Sequence, residues 1–97
     1  MSVYFLVEMS VKDQDMYNEY INKVEPIIKK YKGNYLARGG KIIPFSENWN
    51  PERIIIIEFP SVELVKLCLN SSEYKEISFL REESTISKAI VVEGISS

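Results

Sequence analysis

Arginines and tyrosines are the residues of this chain best suited to chemistry. Arg38 precedes Gly39-Gly40, and a guanidinium fork beside flexible backbone amides suits a planar carboxylate or phosphate. The bland alternative is a strand-ending arginine paired with a glutamate, the glycines serving a bulge or a close backbone approach. Trp49 and Arg53 flank the Asn50-Pro51 turn. They could form the apolar wall and anion clamp of a loop over a pocket, or Trp49 could simply seal a sheet edge or a subunit interface. Tyr74, Ile77 and Arg81 share one helical face, and Tyr20 stands on an earlier helix. A buried tyrosine beside arginine could become acidic enough to donate a proton. More often such a ring fills core while its hydroxyl reaches a backbone carbonyl. Glu8, Glu58 and Glu93 either join Arg38 or Arg53 in a polar pocket between sheets or sit at strand ends, solvated or in intersubunit ion pairs.

Other chemistries lack their residues. The chain has no histidine, which removes the commonest general acid/base and metal ligand, so no zinc, haem or other cofactor is expected. Its single cysteine, Cys68, can form no internal disulfide and fits a reducing, cytoplasmic setting as a small core residue. A Cys-His nucleophile pair is impossible within the chain. No P-loop or GxGxxG motif supports nucleotide binding. With 12 basic and 14 acidic residues unsegregated, no nucleic-acid footprint or polybasic membrane anchor stands out. The first eight residues, Met1 to Glu8, lack a basic n-region and are interrupted too early for a signal peptide or a membrane span. Ninety-seven residues, 45% apolar, suit a single domain over residues 1–97.

These side chains need elements to hold them. Val3 to Val11 alternates as a first strand. Asp13 caps a helix whose apolar stripe runs Tyr17, Tyr20, Ile21, Val24, Ile27, Ile28 and Tyr31, with a kink expected at Pro26. Gly33 should end it as a left-handed residue. A second strand occupies Asn34 to Lys41, and a polar connection from Pro44 to Glu52 leads to the run Arg53-Ile54-Ile55-Ile56-Ile57-Glu58-Phe59, whose β-branched side chains demand a strand. Ser61 caps a helix from Val62; Asn70-Ser71-Ser72 interrupts it and caps another; Lys88 to Gly94 is the last strand. The order β-α-β-β-α-β specifies an α+β, ferredoxin-like fold: a four-stranded antiparallel sheet with its helices on one face.

Strand parity separates the sheet faces. Val3, Phe5, Val7, Ile55, Ile57, Phe59, Ile90 and Val92 should meet the helices. Tyr4, Leu6, Glu8, Ile54, Ile56, Glu58, Ala89, Val91 and Glu93 should occupy the bare face. Four large aliphatics on an uncovered face imply a homodimer joined sheet to sheet.

Several stretches together resemble a known family. They are Glu19-Tyr20, Tyr35-Leu36-Ala37-Arg38-Gly39-Gly40, Trp49-Asn50-Pro51-Glu52-Arg53, Glu58-Phe59-Pro60-Ser61, Ser72-Glu73-Tyr74 with Ile77 and Arg81, and Val91-Val92-Glu93-Gly94. The combination is similar to the family catalogued as domain of unknown function 1330, within the dimeric α/β-barrel superfamily. The resemblance implies a ferredoxin-like protomer whose sheet packs on that of a second copy, and no activity. Superfamily relatives include cofactor-free monooxygenases, muconolactone isomerases and haem-degrading enzymes, an analogy of fold only. The chain departs from the family's usual aromatic residues at Cys68-Leu69 and from an acidic-glycine pair near Phe45-Ser46-Glu47-Asn48.

The leading expectation is a small cytoplasmic homodimer that binds an organic anion or hydrophobic metabolite. Candidate ligand contacts are Arg38, Gly39, Trp49, Arg53, Glu58, Tyr20, Tyr74 and Arg81, with any catalysis cofactor-independent and oxygenase- or isomerase-like. The competing expectation is a non-enzymatic dimerisation module without a ligand site.

Overall fold

A computed structural model describes residues 2–95. Seven elements follow one another: β1 (Val3–Val11), α1 (Gln14–Lys30), β2 (Asn34–Arg38), β3 (Arg53–Phe59), α2 (Val62–Asn70), α3 (Ser72–Ser84) and β4 (Thr85–Glu93). The antiparallel sheet has the order β2-β3-β1-β4, with the helices on one face. Asp13, Ser61 and Ser71 cap the three helices, each accepting from a backbone N–H three residues on. The helix α1 runs unbroken through Pro26. Pro26 and Asn22, whose carbonyl loses its helical donor, are both exposed, so water can replace the missing bond.

The core joins Val3, Val7 and Met9 of β1 and Ile55, Ile57 and Phe59 of β3 to Tyr17, Tyr20, Val24 and Ile28 of α1, with Val65, Cys68, Tyr74 and Leu80 from α2 and α3.

Three local expectations need correction. The left-handed residue after α1 is Lys32, at φ 68°, not Gly33. Gly33 is needed for space instead, since a Cβ there would stand 2.5 Å from Ile28 Cγ2 and 3.0 Å from the Phe59 ring. The second strand stops at Arg38, because Gly39 turns the chain at φ +71°, and its bulge lies between Tyr35 and Ala37 rather than at the glycines. The last strand starts earlier than expected, at Thr85, and pairs with β1 from Val11↔Thr85 to Val3↔Glu93.

That register also reverses the parity assigned to β4. Leu6 faces Ile90 and Tyr4 faces Val92, so Ile86, Lys88, Ile90 and Val92 share the bare face; Ala89, Val91 and Glu93 lie on the helix side. The bare face is therefore more apolar than expected. Ile86 is 67% exposed, Ile90 63% and Val92 46%, beside half-buried Leu6, Ile54 and Ile56.

Candidate functional site

A cavity of about 450 Å³ opens between the sheet and the helices. Its walls combine Phe5, Val7 and Met9 of β1 with Tyr17, Tyr20, Val24 and Ile28 of α1; Tyr35, Arg38, Tyr74 and Arg81 add polar groups, as do Lys75, Glu82 and Lys88. Helical spacing puts Tyr17, Tyr20 and Val24 on the inward stripe of α1. The bulge between Tyr35 and Ala37 resets the alternation of β2, so Tyr35 and Arg38, three residues apart, turn to the same side, opposite Ile57 and Ile55.

The polar groups form a connected chain. Tyr20 and Tyr74 hydroxyls lie 3.0 Å apart and share a hydrogen bond; Arg81 Nε donates to the Tyr74 oxygen at 3.1 Å. Arg81 Nη1 also donates to Ser87 Oγ at 2.8 Å, tying α3 to β4. The Tyr17 and Tyr20 rings stack with centroids 6.2 Å apart, while Tyr74 meets Tyr20 edge-on at 6.4 Å. Arg38 lies over the Tyr35 ring at 4.6 Å and donates to Glu25 at 2.6 Å.

Burial raises the pKa of Tyr20, and the neighbouring Tyr74 adds to the effect; the Arg81 charge only partly opposes it. Desolvation likewise pushes Tyr35 up to about 12 and raises Tyr17 against the pull of Arg53 and Arg38. The expected acidification beside arginine therefore does not occur at Tyr20. These hydroxyls hold their protons at neutral pH.

Arg53 sits behind this wall. Its guanidinium carbon lies 5.2 Å over the Tyr17 ring, and a Cβ on Gly39 would come within 2.6 Å of Arg53 Nη1. Gly39 is needed chiefly for its left-handed φ of +71°, with the flexible end of Arg53 beside it, whereas a Cβ on Gly40 would meet nothing within 4 Å. Tyr17 Oη and Arg53 Nε are both buried without a hydrogen-bond partner.

Two candidates lie elsewhere. Trp49 stands on the opposite face of the sheet, where its Nε1 donates to Glu8 at 3.1 Å. It helps line a second cavity of about 580 Å³ with Ile42, Ile43 and Phe45 of the β2–β3 connection, over Leu6, Ile54 and Ile56. Glu58 is also on that face, beside Tyr4 and Asn34, and lies five residues along β3 from Arg53, about 16 Å at strand spacing. Among the described residues, none of Glu8, Glu58 and Glu93 pairs with Arg38 or Arg53; Arg38 pairs with Glu25. The structure thus gathers Tyr20, Tyr74, Arg81 and Arg38, with Arg53 and Gly39 adjoining, and leaves Trp49 and Glu58 apart. Tyr17, Tyr35 and Ser87 join the wall without having been singled out; the three-residue spacing of Tyr17 and Tyr20 was the available signal for the first. Among the described residues, no cluster of three or more acidic or cysteine side chains could hold a metal.

The family described as Domain of unknown function (DUF1330) matches residues 2–95. The chain belongs to this family. Comparison with curated proteins gives no match. Among solved structures, a protein of unknown function from Rhodopseudomonas palustris superposes with a TM-score of 0.81 at 15% identity, covering 99% of this chain and 84% of that one. A dimeric ferredoxin-like protein of unknown function from Jannaschia sp. CCS1 gives a TM-score of 0.74 at 9% identity, covering 97% and 100%. SnoaB, a cofactor-independent oxygenase from Streptomyces nogalater, gives 0.71 at 7% identity, covering 99% and 95%. Likeness at these identities establishes the ferredoxin-like fold alone.

Proposed function

We propose that this DUF1330 member is a small cytoplasmic homodimer of single-domain protomers, each holding a small organic anion or flat hydrophobic metabolite between sheet and helices. One observation carries the reading. A cavity of about 450 Å³ has aromatic and aliphatic walls on which the Tyr20–Tyr74–Arg81 chain and Arg38 converge. Ligand sites have this size and this mixture of apolar lining with few polar groups. A Tyr20 that keeps its proton and arginines that keep their charge favour a ligand bearing negative or strongly accepting oxygen. Chemistry open to such a site is cofactor-independent proton transfer or oxygenation.

The homodimer is supported by the bare face. Leu6, Ile54, Ile56, Ile90 and Val92 form an apolar surface across β3, β1 and β4 on the side away from the helices, with Ile86 set beyond Lys88 and the β2–β3 connection bordering Leu6, Ile54 and Ile56. Such a surface is a liability in water unless covered.

A thermal-shift screen of aromatic and keto acids tests the ligand reading. Saturating ligand stabilises the folded form, and each kcal/mol gained raises the melting temperature of a domain this size by about 4–8 °C. Arg38→Ala and Arg81→Gln should lose the shift while keeping the fold. A flat response across the panel would refute the reading.

A further inference from the structure

Counting hydrogens at the Tyr20–Tyr74–Arg81 chain leaves one over. The two phenols carry two hydroxyl hydrogens, and their mutual bond at 3.0 Å uses one. Arg81 supplies its own Nε hydrogen to the Tyr74 oxygen, which occupies a lone pair and consumes no phenolic hydrogen. The unused hydrogen is on Tyr74 if Tyr20 donates, and on Tyr20 if Tyr74 donates. Neither hydroxyl makes a further hydrogen bond among the described residues, although both residues are buried and both line the cavity.

We infer that this spare hydrogen is the recognition element of the cavity, and that the ligand carries a phenolate or enolate oxygen to accept it. The inference rests on the cavity being a ligand site. Arg81 acts as a positioning residue. Its bond to the Tyr74 oxygen polarises that hydroxyl and strengthens outward donation, and its charge favours an oxyanion over a neutral carbonyl. Ser87 on β4 also accepts from the guanidinium and helps hold it in place. The walls of Phe5, Val24, Ile28 and Ile57 suit the ring or unsaturated system to which such an oxygen is conjugated.

The test uses 4-nitrophenol, whose phenolate absorbs visible light and reports its own ionisation. Wild-type protein should bind it with the ionisation of the bound probe shifted downward by about one pH unit, the effect of one charge-assisted hydrogen bond. Tyr20→Phe and Tyr74→Phe should each keep much of that shift, since the one hydroxyl left then has only the ligand to serve. The double variant should abolish most of it while its circular dichroism spectrum stays native. Nitrobenzene, which lacks the oxygen, should bind wild type about tenfold more weakly, a comparison that needs no variant to fold. An unchanged shift in the double variant, or equal affinity for nitrobenzene, overturns the inference and leaves the cavity a ligand site. If wild type takes up neither compound, the ligand reading falls and the inference with it.

Discussion

Replacing Ile90 by lysine should take the protein apart into folded protomers. Ile90 sits on the bare face of β4, paired with Leu6 of β1, and is 63% exposed in the protomer. Full burial of an isoleucine is worth about 1.5–3 kcal/mol, so about 1–2 kcal/mol remains to be gained when a second sheet covers it. A two-fold interface contains the residue twice. The loss is then about 2–4 kcal/mol, a dissociation constant weakened roughly 30- to 1000-fold. Burying two ammonium groups would add to it. Sedimentation equilibrium at micromolar protein should show wild type at twice 11.2 kDa and Ile90→Lys close to 11.2 kDa. The variant's circular dichroism should stay native, because the exposed side chain leaves the helix-side core untouched. Wild type sedimenting as a folded 11.2 kDa species, or a variant that dimerises as well as wild type, would refute the reasoning.

Gly33→Ala should cost about 1–3 kcal/mol in a denaturant titration, since the added carbon meets Ile28 and the Phe59 ring in a filled core. Lys32→Gly should be near neutral: removing the left-handed strain at φ 68° is offset by the greater freedom of the unfolded chain. Arg38 holds the Glu25 carboxyl below its ordinary value, first through their hydrogen bond and then through charge. That pair stabilises the fold above the ordinary carboxylate range and stops doing so as pH falls through the lowered value. An NMR titration should find the Glu25 midpoint depressed in wild type and raised most of the way to normal in Arg38→Met, where only the charge of Lys29 still lowers it. Cys68 is fully buried and desolvation pushes its thiol up to about 11, so a thiol reagent at mildly alkaline pH should modify it only after urea unfolds the chain.

The isoleucine run of β3, the stripe of α1 and the serine caps of α2 and α3 were legible because each is a local signal with one physical reading. The parity of β4 was not. Ala89-Ile90-Val91-Val92 is apolar on both faces, so alternation carries no information there, and only pairing of Leu6 with Ile90 fixes which side each residue takes. Glycine after α1 suggested a left-handed turn, but the demand at Gly33 is for space, against Ile28 of α1 and against Phe59, which is distant in sequence. The same limit hid part of the cavity. Tyr74 and Arg81 could be put on one helix face from spacing, whereas their bonds to Tyr20 and Ser87 depend on how α1, α3 and β4 pack. Strand parity already put Glu58 on the bare face, whereas Trp49, read as a neighbour of Arg53 across the Asn50-Pro51 turn, is carried there by the β2–β3 connection.

Ligand occupancy between sheet and helices is tested most directly by NMR of labelled tyrosine and tryptophan rings during titration with an aromatic acid such as 4-hydroxybenzoate. Saturable shifts should appear at Tyr20 and Tyr74 while Trp49, across the sheet, stays put. Movement of Trp49 alone would place binding on the wrong face, and spectra unchanged at saturating acid would contradict the account outright.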